Sequence, residues 1–234
     1  MARLKILPVL LCMFSNGVMA EAYTGKIVID GVVMGEVGAG VATGDGQRSS
    51  QRREVPCFGE ITVEAGVDLV VKRGSDCVVV IDADSNLIPL IATEVNGARL
   101  TVSTTRSIQS QGRIQVEATT PQLKRVDIQG ASNVKLVSVQ SPSLEIVLSG
   151  SGEVAGDGRV GQLDVVVDGS GDVNLGRLRS DNVKVRISGA ADAEIYAEQS
   201  LKVDLEGAGD VRYFGNPAHV EKNISGAGDV VAAE

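Results

Sequence analysis

The chain has 234 residues and a formal net charge of −8, and only 3% of its residues are aromatic, with no Trp. An acidic protein of this kind is a poor partner for nucleic acid or for an anionic membrane surface, because like charges repel. Its core has to be filled by Val, Ile and Leu, which suits the thin interior of a stacked β-architecture.

Residues 1–20 have the composition of a secretory signal peptide. Arg3 and Lys5 give a positive start, residues 6–14 are apolar, and Ala20 is the small residue that a cleavage site requires. The apolar stretch is too short for a convincing membrane span, and no later segment is a better candidate. We therefore expect an exported protein, located in the periplasm or on the cell surface of a bacterium.

Residues 21–54 are expected to form a glycine-rich leader or linker. One loose strand is predicted at residues 26–29, where the sequence is Lys-Ile-Val-Ile. A phosphate-binding loop is the functional alternative for this segment, whose glycines cluster at residues 37–41 (Val-Gly-Ala-Gly-Val) and 43–46 (Thr-Gly-Asp-Gly). The Lys-Ser/Thr ending that such a loop needs is missing, which argues against it.

Residues 55–234 are predicted to form one β-domain, which opens with irregular strands. Short segments rich in β-branched residues, with alternating polarity, indicate strands. They lie at residues 60–63, 67–71, 78–81, 98–102 and 112–117, with insertions at 84–89 and 104–111. We interpret them as the opening coils of the repeat array that follows.

Two cysteines, Cys57 and Cys77, remain after the predicted signal peptide is removed. Exported proteins commonly pair two cysteines. Their separation equals one repeat length, so adjacent coils would bring their Cα atoms to about 5 Å, which a disulfide allows. We predict a disulfide here, worth about 3 kcal/mol in the chain-entropy model.

From residue 124 onward, a short motif that starts with glycine recurs. The leading glycines lie 18 to 20 residues apart, at Gly130, Gly150, Gly169, Gly189, Gly207 and Gly226. Segments with period-two alternation of apolar residues flank each motif and indicate strands. A unit this small cannot bury its apolar side alone, whereas stacked units can. The pattern predicts an all-β, single-domain parallel β-helix (β-solenoid) with coils of about 19 residues, two short strands per coil and glycines at the corners.

In-register stacking also predicts which side chains become neighbours. Asp164 would lie next to Lys184, Arg186 next to Asp204, and Lys202 next to Glu221. Opposite charges on adjacent strands stabilise a sheet by roughly 0.2–1 kcal/mol per pair. Lys184 next to Lys202 runs against this pattern. A sandwich built from sequential hairpins remains the alternative fold.

An acidic column follows the corner glycines, at Asp172, Asp192, Asp210 and Asp229. Our first interpretation is structural, since Asp at a turn commonly accepts a hydrogen bond from its own backbone. Calcium binding is an alternative, because a cation would relieve the repulsion between stacked carboxylates. Catalysis is a third, since carboxylates about 5 Å apart occur in retaining glycosidases. A catalytic pair, however, needs two different environments, and these sites repeat.

The repeats also resemble a known family, the head GIN domain of auto-transporter adhesins. The resemblance is carried by the Gly-x-Gly-Asp-Val motifs, the segment Gly-Ala-Gly-Asp-Val-Arg-Tyr-Phe-Gly-Asn-Pro at 207–217, and Phe58, 61–63, Leu87, 100–102 and Pro121. It covers residues 55–230. The resemblance implies a β-helical domain that is exported or belongs to the cell envelope, with an adhesin-type role.

We expect a non-catalytic envelope module that binds a surface polysaccharide or protein. No cofactor is expected, apart from the calcium alternative. His219 is the only histidine, and without a second His or a paired Cys we expect a surface or packing residue, not a metal ligand or a catalytic base. A polysaccharide-acting β-helix enzyme and a purely structural envelope scaffold are the alternatives. The sequence predicts neither the ligand nor the oligomeric state.

Overall fold

The computed structural model describes the backbone of Gly25–Ile29 and Val32–Val37, and residues 40–233 in full. The predicted signal peptide at residues 1–20 lies outside the described residues, and so do parts of the predicted leader. Within the described part of the chain, no helix has the length and hydropathy of a membrane span.

Nearly all of the regular structure is β-strand. The first strands are β1 (Gly25–Ile29), β2 (Val32–Val37), β3 (Ala42–Thr43), β4 (Arg48–Glu54), β5 (Glu60–Val63), β6 (Asp68–Arg73), β7 (Val78–Asp84), β8 (Ile91–Asn96), β9 (Arg99–Thr104), β10 (Ile108–Gln109) and β11 (Gln115–Thr120). The later strands are β12 (Arg125–Gly130), β13 (Asn133–Gly150), β14 (Glu153–Gly169), β15 (Asp172–Ala190), β16 (Ala193–Ala208), β17 (Val211–Phe214), β18 (His219–Ala227) and β19 (Val230–Ala232). A 3₁₀-helix at Ile88–Leu90 precedes β8. β1 pairs with β2, β3 pairs with β10, and the other strands belong to one large sheet.

β13 to β16 are consecutive coils of a parallel β-solenoid. Each is a long, bent strand of 16 to 19 residues that pairs in parallel with the next, and β18 continues the stack on β16. Residues one repeat apart are therefore direct neighbours in the sheet. The predicted β-solenoid is confirmed, with about five coils, and the hairpin sandwich is wrong because the coils pair in parallel.

Each coil turns three apolar segments inward, where the sequence pattern indicated two strands. In β13 the buried side chains are Val134 and Leu136, then Val139, then Leu144, Ile146 and Leu148. Within each segment, alternate residues face inward because successive side chains of a strand point to opposite sides. Most of these positions are apolar in the following coils too, although Gly156 and Gly158 pair with Leu136 and Val139 in β14. The interior of the coils is thus a column of Val, Leu and Ile, as the composition indicates.

The leading glycines of the repeat stack at one corner of the coils. The stack runs Gly130, Gly150, Gly169, Gly189, Gly207 and Gly226, each paired with the next. Gly169 has a φ of 145°, a region that residues with a side chain avoid. A Cβ on Gly169 would lie 2.2 Å from the carbonyl oxygen of Gly150. Both the backbone angle and the lack of space therefore require glycine at this corner.

The N-terminal part of the domain closes the solenoid with mixed strand pairing. β5 and β9 extend the parallel stack beyond β12, but β8 pairs antiparallel with β9, and β7 pairs antiparallel with β4 and β11. The interpretation of residues 55–117 as opening coils is therefore wrong for β7 and β8. Antiparallel pairing does not join residues one period apart, so the sequence period cannot show it. β4 lies in the segment expected to be a leader, yet it belongs to the large sheet.

Cys57 and Cys77 form a disulfide, as predicted, with their Cα atoms 5.0 Å apart. The bond joins the segment before β5 to the start of β7. Beside it, the N–H of Val55 donates a hydrogen bond to the carbonyl of Cys77 (3.3 Å). The disulfide therefore ties the antiparallel part of the domain to the parallel stack.

The last coil is exposed to solvent along the whole of β18. Lys222 pairs with the buried Val203 and so occupies an interior position of this coil. Its ammonium group donates to the carbonyl of Val230 (2.7 Å) and lies 5.2 Å from the ring centre of Tyr213. A charge at an inward position of an edge strand opposes the addition of a further strand.

Gly169→Ala is expected to destabilise the protein by more than about 2 kcal/mol, since backbone strain and overpacking each cost about 1–3 kcal/mol. Gly66→Ala is the matched control, because no atom lies within 4 Å of the Cβ position of Gly66 and its φ is not in the left-handed region. Chemical denaturation of both variants measures the difference. Equal stability of the two variants would contradict the corner geometry.

Candidate functional site

The acidic column next to the glycine corner links successive coils. The N–H of Asp210 donates to Oδ1 of Asp192 (2.9 Å), and the N–H of Asp229 donates to Oδ1 of Asp210 (3.0 Å). Asn133 occupies the same place in an earlier coil, where its Oδ1 accepts a bond from the N–H of Glu153 (3.3 Å). The sequence interpretation had each Asp bonding to its own turn. In these coils the side chain instead accepts a hydrogen bond from the backbone of the next coil.

The column does not gather into a metal centre. Across residues 40–233, no group of three or more His, Cys, Asp or Glu side chains could hold a metal ion. The members of the column lie one per coil, about 4.8 Å apart along the stack. Asp172 belongs to the column through its pairing with Glu153, and His219 lies apart from it on the exposed β18. Where partners are present, the column side chains act as hydrogen-bond acceptors between coils.

A flat charged face of the sheet is the strongest candidate for binding. We call it the ladder face and define it by two parallel columns of outward side chains. The first column is Arg99, Glu60, Arg125, Glu145, Asp164, Lys184, Lys202 and Glu221. The second is Thr101, Thr62, Asp127, Val147, Val166, Arg186, Asp204 and Asn223. Both columns are straight because every strand pairs in register with the next.

Ion pairs occupy both ends of the ladder face. They are Arg99–Glu60 (2.8 Å), Arg125–Asp127 (2.8 Å), Arg125–Glu145 and Lys202–Glu221 (2.6 Å). Arg125 and Asp127 are partly buried, whereas Lys202 and Glu221 are exposed, so solvent and salt screen their attraction. The main effect of these pairs is to neutralise the charges at the ends of the face.

The sheet places all three predicted opposite-charge neighbours side by side: Asp164 with Lys184, Arg186 with Asp204, and Lys202 with Glu221. Only the last of these closes to ion-pair distance. The repeat determines which residues are neighbours in the sheet. Whether two opposite charges come within ion-pair distance depends on the rotamers of their long side chains. One oxygen of Asp164, Oδ1, is buried without a hydrogen-bond partner among the described residues.

Lys184 and Arg186 are cations without an ion-pair partner in the described part of the chain. They lie in neighbouring columns at the centre of the ladder face, and Lys184 is the sheet neighbour of Lys202. Val166 pairs with Arg186, and Val147 pairs with Val166, so aliphatic surface adjoins the cations. The centre of the face therefore combines two cations that lie outside ion-pair distance of the neighbouring Asp164 and Asp204 with a strip of apolar contact surface.

Hydrogen bonds shift the pKa values of three groups at the C-terminal end of the face. The hydrogen bond from Lys202 holds the pKa of Glu221 below its ordinary value of 4.5, and the same bond raises the pKa of Lys202 above 10.5. The amide of Asn223 donates to Asp204 (2.8 Å) and lowers the pKa of Asp204 below 3.8. All these groups stay ionised at neutral pH, so the charge pattern of the face is constant there.

A second charged cluster, on the middle segment of the coils, was missed by the sequence reasoning. Arg159 pairs with Asp181 and with Glu198 (2.9 Å each), and Arg179 pairs with Glu198 (2.8 Å). Arg179 also lies 5.3 Å from the ring centre of Tyr196. The repeat spacing of Arg159 and Arg179, which are sheet neighbours, is the signal that could have found it. Its charges neutralise one another, which makes it a weaker candidate for binding.

Residues 57–217 match the family described as "Putative auto-transporter adhesin, head GIN domain". The chain belongs to this family, which confirms the resemblance of its motifs. Together with the disulfide, membership of this family indicates an exported bacterial protein. A search among curated proteins finds no match to this chain.

Solved structures share the fold at low sequence identity. One is described as "a putative adhesin" from Bacteroides fragilis NCTC 9343, with a TM-score of 0.69, 18% identity, and coverage of 82% of this chain and 99% of the other. Another is a "putative adhesin" from Parabacteroides distasonis ATCC 8503, with a TM-score of 0.55, 20% identity, and coverage of 83% and 100%. At these identities the likeness establishes the fold alone.

Asp192→Ala is expected to lower the free energy of unfolding by about 0.5–1.5 kcal/mol, because the N–H of Asp210 loses its acceptor. Asp192→Asn keeps an acceptor oxygen and should stay close to the wild type. Urea denaturation distinguishes the two variants. If both variants lose the same stability, charge rather than the hydrogen bond between coils is responsible, and the structural role given to the column is wrong.

The Lys202–Glu221 pair makes stability depend on pH. The folded pKa of Glu221 is below 4.5, so its contribution is present above that value and is lost as the pH falls through the folded pKa. The folded pKa of Lys202 is above 10.5, so its contribution is lost only as the pH rises through that raised pKa. The melting temperature of the wild type should be slightly higher than that of Glu221→Gln from about pH 6 to 9, and this difference should shrink below about pH 4. A gap that widens in acid would contradict the pairing.

Proposed function

We propose that this protein is a non-catalytic binding module of the bacterial envelope and that its ladder face holds a repetitive surface glycan. The observation that carries the proposal is the pair of straight columns on that face. Equivalent positions of successive coils lie about 4.8 Å apart along the stack. A polymer whose units repeat along its length can contact successive coils of such a face.

The chemistry at the centre of the face supports a glycan ligand. Lys184 and Arg186, which form no ion pair within the described residues, can bind carboxylate or phosphate groups on a sugar chain. The half-buried Val147 and Val166 offer aliphatic surface for the C–H faces of sugar rings. Asp164 and Asp204 can accept hydrogen bonds from hydroxyl groups. Each contact is weak on an open surface, and affinity would come from many contacts along one polymer.

The family supports a role in surface binding. The chain belongs to a family described as adhesin heads, and the solved structures that share its fold are described as putative adhesins. Those descriptions concern the relatives. We extend only the general role of binding a surface molecule to this chain, and we take the glycan from the chemistry of the ladder face.

A polysaccharide-cleaving enzyme has less support. A catalytic carboxylate pair needs two environments that move the two pKa values apart. The column at Asp192 and Asp210 offers the same environment at each coil, and both side chains accept hydrogen bonds from the next coil. A purely structural scaffold is the remaining alternative, and a binding assay separates it from our proposal.

The location completes the proposal. Residues 1–20 would direct export and be removed, and the β-helical domain would begin at or before β4, which belongs to its sheet. The binding domain would then lie in the periplasm or on the cell surface, where envelope glycans are accessible.

Binding of the purified protein to an array of bacterial envelope glycans tests the proposal. The double variant Lys184→Ala/Arg186→Ala should bind about tenfold more weakly than the wild type, which corresponds to about 1.4 kcal/mol. Its binding should also depend less on the salt concentration, because fewer protein charges then contribute to binding and salt has less attraction to screen.

The matched control is the double variant Lys135→Ala/Arg177→Ala. It removes the same two charges from exposed positions outside the ladder face. The control should bind within about twofold of the wild type. No binding to any glycan by the wild type, or equal losses in the two double variants, would refute the proposed role of the ladder face. Release of reducing sugar that is lost in Asp192→Asn would favour the enzyme instead.

A further inference from the structure

A polar cleft of about 470 Å³ lies where the glycine corner meets the N-terminal part of the domain. One wall is the corner at residues 64–68, between β5 and β6. The other wall is the loop at residues 104–114, between β9 and β11. The volume falls within the range of sites that bind small molecules, and the cleft is separate from the two columns of the ladder face.

The loop wall of the cleft is fixed at several points. β10, which lies within the loop, pairs with β3. The hydroxyl of Ser110 donates to Oδ2 of the buried Asp84 (2.7 Å). The carbonyl of Arg113 accepts a hydrogen bond from Arg48 (2.6 Å). Because these bonds hold the loop without a ligand, binding would cost little ordering of the chain.

The corner wall is equally well held. The hydroxyl of the buried Ser132 donates to the carbonyl of Ala65. The N–H of Asp68 donates to the carbonyl of Ile114 (2.9 Å), and the side-chain amide of Asn133 donates to Oδ1 of Asp68 (3.0 Å). These bonds join the corner both to the loop and to the next coil. Both sides of the cleft are therefore preformed.

The polar groups of the cleft are two carboxylates, several hydroxyl groups and the guanidinium of Arg113. Glu64 and Asp68 supply carboxylates, and Ser107 supplies a hydroxyl that can donate or accept. Arg113 lies 3.8 Å from Asp68 and partly neutralises it, which leaves the charge of Glu64 to repel anionic ligands. Such a set of groups suits a ligand with several hydroxyl donors.

An aliphatic floor complements these polar groups. Ala65 and Ile114 are almost fully buried and line the cleft, together with the partly buried Ile108. Sugars present hydroxyl groups at the edge of a ring and C–H groups on its faces, so they can use carboxylates and an aliphatic floor at the same time. We propose that this cleft is a second binding site, which takes a terminal unit of a neutral saccharide.

Gly66 allows the cleft to be filled without disturbing the fold. It lines the cleft, no atom lies within 4 Å of its Cβ position, and its φ is outside the left-handed region. Gly66→Phe should therefore place a ring in the cleft at little cost to stability. Gly40→Phe is the matched control, because the Cβ position of Gly40 is equally open and Gly40 does not line the cleft.

Calorimetric titration with neutral di- to tetrasaccharides of glucose, galactose and mannose tests the site, with galacturonic acid oligomers as acidic counterparts. We expect a neutral saccharide to bind the wild type and Gly40→Phe with similar affinity. We expect Gly66→Phe to lose at least tenfold in affinity while its melting temperature stays near that of the wild type. Lys184→Ala/Arg186→Ala should bind these small saccharides as the wild type does, which separates this site from the ladder face.

Three results would overturn the assignment. One is the absence of binding by every neutral saccharide in the panel. The second is tighter binding of the acidic oligomers than of the neutral ones. The third is unchanged binding by a folded Gly66→Phe variant. None of these results bears on polymer binding by the ladder face, which the array experiment tests by itself.

Discussion

Close approach of backbones at the glycine corner is the constraint on which the rest of the structure depends. A Cβ at Gly150 would lie 2.1 Å from the carbonyl oxygen of Gly130, and the same conflict recurs at Gly189 and Gly207 with the glycines of the coils before them. The coils can therefore stack closely at this corner only if the residue in the later coil of each pair is glycine. This condition sets the register of every strand in the coils. A slip of one residue would turn the buried Val, Leu and Ile side chains outward and lose the apolar core.

The fixed register turns a repeat in sequence into columns on the surface. At the corner it aligns Asp192, Asp210 and Asp229 so that a side chain of one coil accepts a hydrogen bond from the next. On the ladder face it aligns charges that form ion pairs at both ends of the face, whereas Lys184 and Arg186 at its centre form none within the described residues. The cleft lies where the glycine corner ends. At that point the corner between β5 and β6 faces the loop between β9 and β11 instead of another coil. The regular coils thus supply an extended surface, and the irregular end supplies an open cleft.

The parts that could be predicted from the sequence are those that depend on the period. The parallel coils, the corner glycines and the side-by-side placement of Lys202 and Glu221 follow from residues one repeat apart. The disulfide followed from the number of cysteines and the expected compartment. Antiparallel pairing of β4, β7 and β8 could not be predicted, because it joins residues with no fixed spacing. The cleft depends on that pairing, and the partners of the acidic column depend on side-chain geometry, so neither was visible in the sequence.

Distances between spin labels along one outward column test the parallel stack most directly. The column runs through Gln129, Ser149, Asp168, Ser188, Glu206 and Ser225, one residue per coil. Each coil adds about 4.8 Å, so backbone distances of about 14 Å from Gln129 to Ser188 and about 24 Å from Gln129 to Ser225 are predicted. Distances that rise in proportion to the number of intervening coils would agree with glycine-on-glycine stacking. A Ser225 label as close to Gln129 as the Ser188 label, or closer, would contradict it.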